Sequence, residues 1–228
     1  LFTTPLSSLS SDTESIFVSL FLIFLVITFS QVSALMFKFF DMQSIKTLFF
    51  QIVDKANTPL IFLNNITGYM VGTEYEQKGM IKHGSKMIQA VSNIRVPKLS
   101  FYVGASYGAG NYGMAGYGFD PDFLFTWPGA MTGVMSGESA AGTMETVALN
   151  AAKRRGVEPD MEALAKQRAA IEAVFAAQED AFFTSGRLLD HGVVDPRDTR
   201  KILGFTLETI WEREHRTLNP NAFGVGRM

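Results

Sequence analysis

The chain has 228 residues with 20 basic and 22 acidic side chains, a formal net charge of -2, three histidines and no cysteine. That balance supplies no basic field for nucleic acid. The absence of cysteine excludes disulfides and thiolate metal sites, and the scattered histidines form no cluster of metal-ligand spacing, so no metal is expected in this chain.

Residues 1–41 stand apart from the rest. Between Glu14 and Lys38 run 23 uncharged residues, long enough to cross a hydrocarbon core that takes ~20. No basic leader or small-residue cleavage pattern makes this a signal peptide, and no Lys or Arg precedes it to set an orientation. Residues 16–37 therefore read either as a membrane anchor or as sequence foreign to the domain, such as a mispredicted start. The domain itself is expected to occupy residues 42–228.

Over residues 42–55 the apolar positions Ile45, Leu48, Phe49, Ile52 and Val53 follow the spacing of an amphipathic helix. Pro59 stops it, and residues 60–63 predict a buried strand ending at the polar pair Asn64 and Asn65. Residues 66–72 form a glycine-bracketed loop at that strand's carboxyl end. Residues 74–94 predict a second helix, with Gly79 and Gly84 marking bends or close packing and Lys82, His83 and Lys86 on a solvated face. Pro97 ends this unit, and residues 99–103 are the next strand.

That strand feeds GASYGAGNYGMAGYG at residues 104–118, with six glycines in fifteen residues. A glycine cluster there brings backbone, not side chain, up to a ligand. A helix starting near Gly110 would aim unpaired first-turn amides at negative charge. Residues 122–127 predict a third strand closed by Pro128 and Gly129. Ser136 to Ser139 look like the cap of a helix running to Arg155 and ended by Gly156. Residues 160–183 predict a long alanine-rich helix and residues 198–216 another. A helix, a short strand and a glycine loop thus occur twice, and loops at strand carboxyl ends are where open α/β sheets collect ligands.

Two short patterns compete for the glycine loop. Residues 108–113 match the dinucleotide fingerprint G-x-G-x-x-G, but Gly116 and Gly118 interrupt the helix it requires, and Asp120 and Asp122 precede the next strand when an acid should close it. Residues 104–108 match the G-x-S-x-G elbow of serine hydrolases. That reading needs an acid and a histidine after Ser106, for which Asp180, Asp190, His191 and His215 are the candidates. The simpler reading of Ser106 is a small residue that lets the loop turn, since so short a motif often arises by chance.

Several motifs in fixed order carry more than any single glycine pattern. TPLIFLNNITGYMVG, the helix after it, KLSFYVGASYGAGNYGMAGYG, FLFTWPGA, VMSGESAA, SGRLLDHGVVDPRDTRKILG and the ending NPNAFGVGRM resemble the C-terminal half of the carboxyltransferase (beta) subunit of biotin-dependent acyl-CoA carboxylases, over residues 42–228. Within that group the chain is most similar to methylcrotonyl-CoA and geranyl-CoA carboxylase beta subunits. It departs from the pattern over residues 1–41, and at Met131 and Thr132, where a basic residue is expected.

The resemblance implies an α/β fold of the crotonase-like (ClpP/crotonase) ββα superhelix type. It implies transfer of a carboxyl group from carboxybiotin to a branched unsaturated acyl-CoA such as methylcrotonyl-CoA. The acyl-CoA would rest on a first domain this chain lacks, so the chain alone is expected to be inactive. Ala109 and Gly110 fall at the family's second-domain oxyanion hole, and Gly68, Tyr69, Met70, Val71, Gly72, Tyr107 and Gly108 line the biotin and substrate pocket. The cofactor implied is biotin, carried on a partner alpha subunit that joins biotin carboxylase and biotin carrier. Homo-oligomerisation through the carboxyltransferase dimer interface follows from the same resemblance, as does a mitochondrial matrix or bacterial cytoplasmic location. Two other activities stay open from the residues alone: a serine hydrolase or peptidase using Ser106, and an acyl-CoA hydratase or isomerase of the same fold using Glu138 or Asp120.

Overall fold

A computed structural model describes residues 42–69, 72–220 and Gly224. The anchor reading of residues 16–37 lies outside the described residues, as do Met70 and Val71. Among the described residues no helix is long and apolar enough to cross a membrane. They fall into two compact units, dividing between Val194 and Asp195.

The first unit is built on a sheet in which β1 (Leu60–Ile66) and β3 (Phe123–Thr126) flank β2 (Lys98–Tyr107), all parallel. A three-residue strand, β4 (Met131–Gly133), takes over from β3 as the partner of the last residues of β2. Sequence periodicity gives no sign of β4, because three residues are too few to show alternation. Helix α1 (Met42–Lys55) and helix α3 (Met80–Asn93) cover one face of the sheet. There Phe50 and Val53 of α1 and Met87 and Val91 of α3 enclose Leu60 and Phe62 of β1, with the Phe50 and Phe62 rings 5.8 Å apart. Such alternation of inward residues is what a pleated strand imposes on its two faces. On the opposite face Phe101 packs on Phe125 at 5.5 Å.

Three expectations from the sequence change in detail. The helix expected over residues 74–94 is two, α2 (Thr73–Gln77) and α3, because Gly79 takes φ 84° between them. Strand β2 does not stop at Val103 but continues through Gly104 to Tyr107. It does so by a bulge: Asn64 pairs with Tyr102 but Ile66 pairs with Ser106, so residues 103–105 face a single residue of β1. The Asn65 side chain fills the gap, its Oδ1 accepting from Ala105 N at 3.3 Å. A Cβ at position 104 would come within 2.5 Å of that oxygen, which is why a glycine stands there.

The third change concerns the long helix expected over residues 160–183. It breaks at Asp180 into α6 (Met161–Glu179) and α7 (Ala181–Gly186), because the Asp180 carboxylate accepts from Phe182 N and Phe183 N and so caps a new start. Helix α5 (Gly137–Arg155) has the expected ends: Ser136 accepts from Ser139 N, and Gly156 closes it at φ 66°. α5 and α6 lie against each other as a hairpin, with Arg168 of α6 bonded at 2.9 Å to both Glu145 and Glu172.

In the second unit Asp195 receives Arg197 in a short turn that leads into α8 (Thr199–His215). The hydrogen bonds from Arg197 hold the Asp195 carboxyl down at about 2. Near the end of α8 the Trp211 ring stacks on His215 at 4.4 Å.

Candidate functional site

Because β1 and β2 are parallel neighbours, the loops that leave their carboxyl ends open on the same edge of the sheet. The loop after β1 turns through Gly68 at φ 126° and returns through Gly72 at φ 124°, regions closed to most side chains. The segment after β2 turns at Gly108, φ 57°, and enters helix α4 (Gly108–Gly113). These two segments touch. A Cβ on Gly110 would stand 2.8 Å from Ile66 Cδ1 and 3.0 Å from the Gly68 Cα, so only glycine permits that approach. A Cβ on Gly108 would stand 3.0 Å from the Val134 carbonyl oxygen.

Ala109 and Gly110 are in the first turn of α4, where the backbone amides have no carbonyl one turn earlier to bind. Among the described residues neither amide meets an acceptor. Ala109 is exposed, and Gly110 is buried on the side where its missing Cβ would point. α4 is under two turns long, so its positive end is made by these individual N–H groups more than by a summed dipole.

What holds so short a helix is a set of buried and half-buried polar side chains, of which Asn111, Tyr102 and Ser100 were not singled out by the sequence. Asn111 Nδ2 donates to Tyr102 Oη at 2.8 Å and to Ser106 Oγ at 2.9 Å. Tyr102 Oη also accepts from Tyr117 N at 3.2 Å, and Ser100 Oγ donates to Ala115 O at 2.6 Å. Asn64 Nδ2 donates to Met114 O at 3.2 Å. These bonds tie residues 111–117 to the interior of β1 and β2. A signal for them exists in the polar residues that interrupt otherwise apolar strands: Asn64, Ser100 and Ser106 are each fully buried.

Of the other residues expected here, Tyr69 lies with its ring against Gly84, where a Cβ would sit 3.5 Å from Tyr69 Cζ. Its hydroxyl lies over Gly113, leaving no room for a side chain there. That hydroxyl is buried without a hydrogen-bond partner among the described residues, and burial pushes its pKa up to about 12. Tyr107 reaches the loop through its backbone; its hydroxyl donates to Glu179 Oε2 at 2.7 Å. Burial, then the Glu179 bond, raises the Tyr107 pKa. Lys82 and Lys86 are exposed on α3, as expected.

The hydrolase reading fails on geometry. Ser106 is fully buried within β2, and its Oγ receives the Asn111 amide instead of a histidine. His191 and Asp190 are bound to β3 and to their own turn. His191 Nδ1 accepts from Leu124 N at 3.0 Å, and Asp190 accepts from Thr126 Oγ1 at 2.5 Å and from Gly192 N at 3.0 Å. Asp180 is a helix cap, and His215 is stacked on Trp211 in the second unit. The hydratase candidates Asp120 and Glu138 are both exposed, Asp120 at a left-handed turn and Glu138 in the first turn of α5. No group of three or more potential metal ligands occurs among the described residues.

A family model described as "Carboxyl transferase domain" matches residues 40–225. The chain is 50% identical, over 80% of its length and 34% of the relative's, to a Mycobacterium tuberculosis protein named as the beta2 subunit of a biotin-dependent acyl-coenzyme A carboxylase. It is 43% identical, over 79% of its length and 34% of the relative's, to the beta1 subunit of the biotin-dependent 3-methylcrotonyl-coenzyme A carboxylase of the same organism. Among solved structures, the beta subunit of geranyl-CoA carboxylase from P. aeruginosa aligns with a TM-score of 0.70 and 46% identity, over 80% of this chain and 34% of that one. The chain thus spans about a third of the length of the relatives it matches. The α/β architecture is the crotonase-like one expected from the resemblance.

Proposed function

Because the chain belongs to the carboxyl transferase domain family, we propose that it is the second half of an acyl-CoA carboxylase carboxyltransferase, acting between carboxybiotin and a branched unsaturated acyl-CoA of the methylcrotonyl type. The observation that carries this reading is the pair of consecutive amides, Ala109 and Gly110, that meet no acceptor among the described residues at the end of β2. Loss of CO2 from carboxybiotin leaves negative charge on the ureido oxygen, and that ring then supplies the base for the α or γ proton of the acyl-CoA. Donors fixed in advance stabilise such charge without reorganising as it forms.

The rest of the cradle suits a flat ring brought in on a tether. Gly110 lets α4 stand close against Ile66 and Gly68 of the β1 loop, and Gly108 lets the turn pass the Val134 carbonyl. On this reading Gly68, Tyr69 and Gly72 contribute to the pocket from the β1 loop, and Tyr107 and Gly108 contribute from the β2 turn. No proton-transferring side chain is required of the chain itself. Its task is to orient the ring and hold charge.

On this reading the acyl-CoA rests on the first half of a carboxyltransferase subunit that faces this chain across the homo-oligomer interface. The biotin arrives on an alpha subunit that carries biotin carboxylase and biotin carrier. The names of the relatives favour methylcrotonyl-CoA over smaller acyl groups.

The test removes the N–H groups alone. Replacing the peptide bond at Ala109 or Gly110 by an ester deletes one donor and leaves the side chains unchanged, whereas any ordinary substitution at Gly110 also strikes Ile66. In an assembled carboxylase containing this chain, either ester is expected to slow biotin-dependent carboxylation of 3-methylcrotonyl-CoA by about 100-fold to 1000-fold. Full activity with both esters refutes the assignment.

A further inference from the structure

We infer that Asn111 is a positioning residue: by bonding Tyr102 and Ser106 across the bulge of β2, its amide sets the direction in which the Ala109 and Gly110 amides point. This rests on the proposed role of those two amides. A helix of six residues has no stability of its own in water, so its axis is set by whatever it is fastened to. Two fasteners flank the junction of Gly110 and Asn111. One is the contact of Gly110 with Ile66 and Gly68, which fixes how close α4 approaches β1 but makes no directional bond. The other is Asn111.

The position of Asn111 is unusual in what it joins. Tyr102 is the last β2 residue in register with β1 before the bulge, and Ser106 is the first after it. One carboxamide nitrogen holds both, at 2.8 and 2.9 Å, and so spans the distortion by which β2 turns toward the loop. Backbone bonds extend the same bracket forward. Asn111 O accepts from Gly116 N at 2.9 Å and Met114 N at 3.2 Å, while Tyr102 Oη accepts from Tyr117 N at 3.2 Å. Ser106 is fixed from its other side, its carbonyl accepting from Thr132 Oγ1 of β4 at 2.8 Å. Gly116 leaves room for the arrangement, since a Cβ there would overlap the Asn111 amide.

Both acceptors are buried and uncharged, so water does not compete for them. Burial raises the Tyr102 pKa and keeps its oxygen a neutral acceptor. Asn111 is next in sequence to Gly110 but acts on the ligand only through the amides before it. Its loss should therefore loosen recognition more than it loosens the fold.

The experiment uses the full chain, isotopically labelled, with free D-biotin as the probe and the amide resonances of Ala109 and Gly110 as the reading. Asn111→Ala and Tyr102→Phe are each expected to weaken biotin binding at those resonances about tenfold, the effect of losing one hydrogen bond's alignment. Because the two residues act through a shared bond, the double variant is expected to fall short of the product of the single effects. Asp54→Ala, which breaks the ion pair with Arg95 at the opposite ends of the strands, is the control for simple destabilisation and is expected to bind as the unaltered chain does. A folded Asn111→Ala that binds biotin with unaltered affinity overturns the inference while the assignment of the amides stands. If biotin shifts neither amide in the unaltered chain, that assignment falls and the inference with it. Should Asn111→Ala not fold, Tyr102→Phe, which loses a single oxygen, decides alone.

Discussion

Gly110 illustrates how a single position joins packing to recognition. Its missing Cβ would sit 2.8 Å from Ile66 Cδ1, tighter than real Cβ contacts allow. Gly110→Ala is therefore expected to destabilise the chain by about 1–3 kcal/mol, the usual cost of overpacking a close contact. Ile66→Val removes the nearest atom, so the double variant is expected to regain part of the loss, as read by urea unfolding. Tyr69 offers a test by pH. Its hydroxyl has a folded pKa of about 12 against an ordinary value of 10.0, so the folded state favours the neutral phenol. The sign follows: this contribution is complete below pH 10, and it is lost as pH rises from 10 through about 12. Tyr69→Phe is expected to flatten that part of the stability profile, measured by denaturant unfolding at stepped alkaline pH. Sequence reasoning found the glycines of this region because glycine announces itself. It passed over Asn111, Tyr102 and Ser100, whose roles arise from partners up to fifteen residues away that no local pattern relates.

Elements whose boundaries are written in local chemistry were legible before any coordinates. α5 lies between Ser136 and Gly156 as its capping residues imply, α1 and β3 fall where periodicity and proline place them, and β1 starts after Pro59 as expected but runs on through Asn64 and Asn65 to Ile66. What escaped was decided by pairing across the sheet. β4 exists because β2 overshoots β3 and needs a new neighbour, and β2 overshoots because Asn65 plugs its bulge. The α6 to α7 break escaped for another reason: an aspartate within an alanine-rich run is compatible with helix until its carboxylate finds the next two amides. Asp180→Ala is expected to cost about 1 kcal/mol through the lost cap. Gly156→Ala, at φ 66° with open space around it, is expected to cost about 1–2 kcal/mol through backbone strain alone. Thermal unfolding of the two variants and their double form checks both values, which should add because the sites share no partner.

For the whole molecule, the carboxyltransferase assignment was readable because motifs spread over residues 42–228 keep a fixed order, which a single glycine pattern does not. Which partner completes the site is not written in this chain. The residues that would hold the acyl-CoA belong, on the proposed reading, to another polypeptide surface. The chain by itself is accordingly expected to bind D-biotin weakly and 3-methylcrotonyl-CoA not at all. Titration calorimetry with each ligand checks this, and tight binding of the thioester would show that the division of labour is wrong.

The bond between Tyr107 and Glu179 has a mechanical meaning. Tyr107 is the residue before Gly108, where the chain swings into the turn that carries the two amides, and Glu179 ends the second arm of the α5–α6 hairpin. One phenol thus ties the end of that arm to the pivot of the turn, beside the bridge between Met131 and Asp180, so the hairpin and the turn are braced against each other.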